Sequence, residues 1–297
     1  MYTPEGGVRS GFNPTEANRG TPLAGATGFA SEAIVSRMEI NLVVLNVGNS
    51  RLAVGSFVAG ELGEVTRVPL EGATADMLAQ HIGEAWLRVQ SRDNAAVVAA
   101  SVNPEMNETV AQAVAQATDG RRVVWVGKDL ELPIKVMTEH PEQTGVDRVL
   151  NMAAAYEQMG KACVVVDAGT AITVNVCDEQ GRFLGGAIAP GVRMQLEALH
   201  DKTAQLPAVR FTAPTEPWGK STQQAILHGV FHGIRGMVKE LVENYATELG
   251  QWPDLIVTGG DAATLFTDWD LVHAIAPNLV LYGIALAYTE HHMQHEA

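Results

Sequence analysis

The chain has only two cysteines, Cys163 and Cys177, among 297 residues. That excludes a disulfide framework and fits a reduced, cytoplasmic setting with buried thiols in strands. Positive charge is in the minority: 20 Lys and Arg against 34 Asp and Glu give a formal charge of −14. Such a balance argues against a nucleic-acid backbone or an anionic membrane surface as partner. No apolar run approaches the ~20 residues of a spanning helix. Residues 1–37 are rich in Gly, Pro, Thr, Ala and Ser and have no hydrophobic period. They read as a disordered N-terminal tail, without the basic start and apolar core of a secretory signal. Met38 stands just ahead of the first strand and would serve as an alternative start.

Several familiar signatures are missing too. Gly219-Lys220-Ser221-Thr222 suggests a Walker loop, but Pro214 occupies the position of the leading glycine and no buried strand precedes it. No G-x-G-x-x-G follows a strand, which leaves a dinucleotide site unsupported. His228 and His232 are four apart on a helical stretch, but no Glu follows His228 as a zinc-protease motif requires. They read as packed or surface histidines.

What is present is a repeated pattern. Val164-Val165-Val166-Asp167-Ala168-Gly169-Thr170 is a buried β-branched strand ending on a carboxylate. The chain turns and resumes with Ile172, Val174 and Val176 alternating on one face. Leu42-Val43-Val44-Leu45-Asn46-Val47-Gly48-Asn49-Ser50 repeats the pattern with an amide in place of the acid. Leu255-Ile256-Val257-Thr258-Gly259-Gly260-Asp261 is a third buried strand opening into a glycine turn. Each hairpin turn gathers backbone donors, a hydroxyl and an acid or amide, a chemistry suited to phosphate and hydrated Mg²⁺. Two such hairpins imply a duplicated fold with a nucleotide between its halves, the arrangement of the actin, sugar-kinase and Hsp70 group.

The element order agrees. A hairpin over Asn41–Phe57, a turn at Gly60–Gly63 and a strand over Glu64–Val68 lead to a helix over Thr74–Ser91. A strand at Asn94–Val102, a helix at Asn107–Ala117 and a strand at Arg122–Val126 follow. The expected organisation is α/β: two duplicated ribonuclease-H-like (actin-like ATPase) domains, residues 38–150 and 151–297, each with a mixed sheet, and a cleft between them. Helices are expected from about Thr144 to Gly160, over Val192–Leu199, over Thr222–Leu249 and over Leu279–Met293.

Thr144-x-x-Asp147 is a capping pattern with Thr144 as N-cap, which would explain the acid structurally. Arg148 fits it less well, because a cation near a helix N-terminus opposes the macrodipole unless an anionic ligand lies there. A second reading therefore stays open: Asp147 as the base for a substrate hydroxyl and Arg148 as the grip on a carboxylate. Ser221 or Thr222 serves as N-cap of the long helix, or sits beside an anion at that helix end.

From Met38 onward the chain resembles the type III pantothenate kinases, also described as Bvg-accessory-factor-like. The likeness rests on Gly145-Val146-Asp147-Arg148, Asp167-Ala168-Gly169-Thr170-Ala171, the Leu184–Gly191 run, Ser221-Thr222 and Thr258-Gly259-Gly260 in this order and spacing. The resemblance implies transfer of the ATP γ-phosphoryl to pantothenate, the first step of coenzyme A synthesis. It implies a homodimer that requires Mg²⁺ and a monovalent cation, K⁺ or NH₄⁺. By motif, Gly145, Val146, Asp147 and Arg148 would bind pantothenate, with Asp147 as proton acceptor, and Thr222 would reach substrate across the dimer. Asn46, Val47, Gly48, Asn49, Ser50, Arg51, Leu52 and Ala53 would wrap the ATP phosphates. Thr170 would touch ATP, and Asp167 would hold the monovalent cation.

Two positions depart from the family pattern. Asn46 stands where the first phosphate motif has Asp, and Thr138-Glu139-His140-Pro141 stands where an aromatic residue precedes Asn-Pro. An amide keeps one acceptor oxygen but loses the charge that holds Mg²⁺. Asn46 thus motivates a rival expectation: a weakened or inactive relative that binds nucleotide or regulates.

Overall fold

A computed structural model describes residues 40–296; the expectation of a disordered tail over 1–37 lies outside them. The apolar run Leu42–Val47 forms β1, and its period of two splits it between two cores. Leu42 and Val44 face one core, while Val43, Leu45 and Val47 face another. β1 pairs antiparallel with β2 (Arg51–Val58) and parallel with β5 (Ala96–Ser101). β2 carries β3 (Glu61–Leu62) and β4 (Thr66–Pro69) on its other edge, and β6 (Val123–Trp125) runs parallel to β5.

The strand β3 corrects the expected Gly60–Gly63 turn. Ala59 (φ 51°) and Gly60 (φ 83°) are both left-handed, so they make a two-residue hairpin turn and Glu61 pairs with Val58. Helices α1 (Ala75–Trp86) and α2 (Asn107–Ala117) cover one face of this sheet through Leu78, Ile82, Trp86, Val110 and Val114.

The second sheet repeats the first except for β4, which has no counterpart. β7 (Cys163–Ala168), β8 (Ala171–Cys177) and β9 (Phe183–Pro190) are antiparallel neighbours, while β10 (Asp254–Thr258) and β11 (Ala274–Ile275) continue in parallel. Its orders, β9-β8-β7-β10-β11 here and β3-β2-β1-β5-β6 in the first sheet, match in direction as well as sequence. The fold is therefore α/β, with two duplicated mixed sheets of the ribonuclease-H-like, actin-like kind. Helices α4 (Val192–Asp201), α5 (Thr222–Leu249) and α6 (Ala262–Phe266) cover the outer face of the second sheet.

Between the sheets lie α3 (Val146–Met159) and α7 (Leu279–Glu296), packed on each other. Their apolar sides meet Leu42, Val44 and Val98 from one sheet and Cys163, Val165 and Ile256 from the other in one continuous core. The C-terminal helix thus covers the inner face of the N-terminal sheet, in contact with β1 and β5. Cys163 and Cys177 face each other on β7 and β8 as buried free thiols, Sγ to Sγ 3.4 Å. Among the described residues no helix is long and apolar enough to cross a membrane.

Candidate active site

The two hairpin turns leave their sheets at equivalent places, after β1 and after β7, and they meet. Ser50 Oγ lies 3.2 Å from Thr170 Oγ1, a hydroxyl–hydroxyl contact between residues 120 positions apart. The first turn is closed by Gly48 N–H donating to the Arg51 carbonyl at 3.0 Å, and the Leu70 N–H binds the Ser50 carbonyl at 3.0 Å. The second is tighter. Gly169 N–H donates to the Ala171 carbonyl at 3.1 Å, and the Asp261 N–H holds the Ala168 carbonyl at 3.0 Å.

Glycines make that tightness possible. Gly259 has φ +97°, and a Cβ there would stand 2.5 Å from both the Ala168 carbonyl oxygen and Asp167 Oδ1. Gly191 lies equally close against the carbonyls of Thr170 and Gly169. The third glycine turn is therefore a brace for the second hairpin. Its Asp261 carboxyl is pushed up by burial, with the positive charge of Arg51 from the first turn opposing.

Asp167 ends β7 partly buried. Its Oδ2 accepts from Asn151 Nδ2 at 3.0 Å. Burial above all, then the charge of nearby Asp147, pushes its carboxyl up to about 6, while the Asn151 hydrogen bond opposes the shift. Asp147 itself is raised by burial; the Arg148 N–H, 2.8 Å from its Oδ1, and the Arg148 charge pull the other way. The catalytic candidate and the cation candidate are thus neighbours. Arg148 Nε donates to Asn175 Oδ1 at 2.7 Å, and its guanidinium lies over the Phe183 ring.

The first turn differs. Asn46 Oδ1 is shut off from solvent and has no hydrogen-bond partner among the described residues. Val47 and Leu52 turn their side chains into the core, so those two can offer a ligand only backbone. Asn49 and Arg51 are exposed, and Gly48, Ser50 and Ala53 are partly so.

The expected Thr144 cap is not made. Gly145 occupies the N-cap position of α3 without a side-chain cap, because Thr144 Oγ1 is engaged with Thr138 Oγ1 at 2.9 Å. Asp147 sits in the first helical turn, its Oδ1 accepting the Arg148 N–H at 2.8 Å. At α5, Ser221 is the N-cap, its Oγ accepting from Gln224 N–H at 3.3 Å. Thr222 is exposed, and among the described residues it makes no hydrogen bond to the Asp147–Arg148–Asp167–Thr170 group. His228 and His232 stack on each other on α5, and no group of three His, Cys, Asp or Glu among the described residues could hold a metal. Sequence reasoning passed over Asn151. The signal was its place one turn beyond Asp147 on the same helix face.

Residues 42–244 match the family model described as type III pantothenate kinase. The chain belongs to the type III pantothenate kinase family. Type III pantothenate kinase of Brevibacillus brevis is 30% identical over 255 residues, 83% of this chain and 98% of that protein. One from Dehalococcoides mccartyi is 32% identical over 259 residues, 84% and 98% of the two chains. Among solved structures, a Baf family protein from Campylobacter jejuni superposes with a TM-score of 0.56 at 21% identity, covering 84% of this chain and 99% of that one. That likeness speaks to fold. The matched region of the type III pantothenate kinase family holds both hairpins and the start of α3, while the Thr258-Gly259-Gly260 brace follows it in the chain.

Proposed function

We propose that this chain transfers the γ-phosphoryl group of ATP to the hydroxyl of pantothenate, giving 4'-phosphopantothenate for coenzyme A synthesis in the cytoplasm. The observation that carries the reading is the Ser50–Thr170 contact, which sets two phosphate-type turns face to face beside Asp147. Phosphoryl transfer asks a protein chiefly for positioning and charge neutralisation, and that is what the geometry supplies.

Asp147 accepts the proton of the substrate hydroxyl. Burial raises its pKa, which makes it a better base than an exposed carboxylate. Arg148 grips the substrate carboxylate, with Gly145 and Val146 shaping the approach. Asn46 to Ala53 and Thr170 border the triphosphate. Thr222, exposed and without a hydrogen bond to these groups among the described residues, serves the pocket of a second copy in a homodimer.

The donor set also fits cations. Asn46 Oδ1 and Asn151 Oδ1 are buried without partners, and the Asp167 carboxylate is disfavoured by its surroundings. All three are hard oxygen donors, suited to K⁺ or NH₄⁺ at Asp167 and to Mg²⁺ shared with phosphates, which keeps several waters. When bound, Mg²⁺ supplies neutralisation of the charge developing on the phosphates.

The test is ADP release by the purified protein with ATP, Mg²⁺ and K⁺, with and without pantothenate. Pantothenate-dependent release is expected. Binding of both substrates with no ADP formed would overturn the proposal in favour of a regulatory relative.

A further inference from the structure

Asn175 is a fully buried amide in the middle of β8, and both of its polar atoms are used. Oδ1 accepts from Arg148 Nε at 2.7 Å, and Nδ2 donates to Thr173 Oγ1 at 3.0 Å. Nε is the inner nitrogen of the guanidinium. A bond there fixes the plane of the group, and stacking over Phe183, 5.5 Å from the ring centroid, fixes its tilt. Among the described residues the two terminal nitrogens carry no hydrogen bond. They are the pair that a carboxylate engages in the bidentate manner.

The strand opposite makes room for this. Gly186 pairs with Asn175 across β8 and β9. A Cβ at Gly186 would strike the Val174 carbonyl and stand 3.0 Å from Asn175 Oδ1, the atom that holds Arg148. An aspartate at position 175 would accept the same bond, but it would bring a full negative charge against the guanidinium. The Asp147 carboxyl already acts on that guanidinium, and the amide provides the geometry without adding a second negative charge.

We propose that Asn175 is a positioning residue: it orients the Arg148 guanidinium for the substrate carboxylate and, being uncharged, leaves the positive charge to that ligand. This rests on the reading of Arg148 as the carboxylate grip.

The test compares pantothenate with an analogue carrying a primary alcohol in place of the carboxylate, in steady-state kinetics at fixed saturating ATP. Arg148→Ala should remove the preference for the acid. Asn175→Asp should raise KM for the acid about tenfold, a loss on the scale of one charge-assisted contact. It should leave kcat, KM for ATP and KM for the alcohol within about twofold. Asn175→Ser, a smaller change that still offers an oxygen, should give the same selective rise at lower size. An equal rise for both acceptors, or no rise, overturns the proposal.

The two levels separate cleanly. If Arg148→Ala keeps the acid preference, the grip reading fails and the proposal with it. If Arg148→Ala loses the preference while Asn175→Asp keeps it, only the positioning role fails. Should the variants not fold, judged by thermal melting, the wild-type protein still decides. Its Arg148 Nε–H resonance, assigned by its loss in Arg148→Lys, should exchange slowly with solvent; fast exchange overturns the proposal.

Discussion

The turn after β1 and the turn after β7 occupy equivalent places in duplicated sheets, yet they are built differently. The second carries a carboxylate held by Asn151 and flanked by Gly169 and Gly259, while Gly191 lies against the turn's own carbonyls. The first carries an amide whose oxygen meets no partner among the described residues, in a turn one residue longer. Duplication preserved the path of the chain and let the electrostatics diverge. The second turn concentrates charge at the cost of a carboxyl poised near 6, and the first offers a neutral wall to the same gap.

Making the second turn resemble the first should have the largest effect. Asp167→Asn is expected to lower kcat/KM on the order of 10²-fold, the loss seen when one preorganised electrostatic group is removed; steady-state kinetics at saturating Mg²⁺ and K⁺ would measure it. Removing the brace comes next. Gly259→Ala should destabilise the fold by ~1–3 kcal/mol, because backbone carbonyls must shift to admit the methyl. Gly48→Ala, whose Cβ would stand 3.1 Å from the Arg51 carbonyl oxygen, should cost less in the same denaturant titration.

Making the first turn resemble the second is a milder change. Asn46→Asp should lower the Mg²⁺ concentration for half-maximal activity several-fold, since a second carboxylate joins the cation's surroundings.

The two turns should also part in their response to pH. Asp167 holds its proton up to about 6 when folded, against an ordinary 3.8, so the unfolded chain releases it first. Stability of the ligand-free protein should therefore fall as pH rises from about 4 to about 6 through this group, and Asp167→Asn should flatten that fall in melting curves. Smallest of all, Ser50→Ala removes one exposed hydroxyl contact and should change melting by under ~1 kcal/mol.

Much of this was legible in the sequence, and the reasons are physical. Strand periodicity and glycine turns located β1, β2, β7 and β8, and the helix Thr222–Leu249 was readable from its Ser221 cap and Gly250 end. Asp167 stood out as the acid that ends an apolar strand, and Asp147 as part of a capping pattern beside a cation, Arg148, that a helix N-terminus disfavours. What could not be read depends on contacts across the chain. Nothing local announces that Thr144 spends its hydroxyl on Thr138, or that Ser50 and Thr170 touch. Asn175 looked like one more residue of an alternating strand, since only the fold brings Arg148 to it. The two-residue strand at Glu61 was hidden by a left-handed alanine, a conformation that sequence gives no reason to expect.

The helix Leu279–Glu296 has a consequence for how the molecule is made. It is translated after every strand of the sheet it covers, so the ribosome delivers β1 and β5 long before their inner face has its lid. That face, with Leu42, Val44 and Val98 bare, must wait through nearly the whole synthesis of the second half. Nascent chains cut before residue 279 should be the ones that chaperones hold and proteases find, even though both hairpins are already in them.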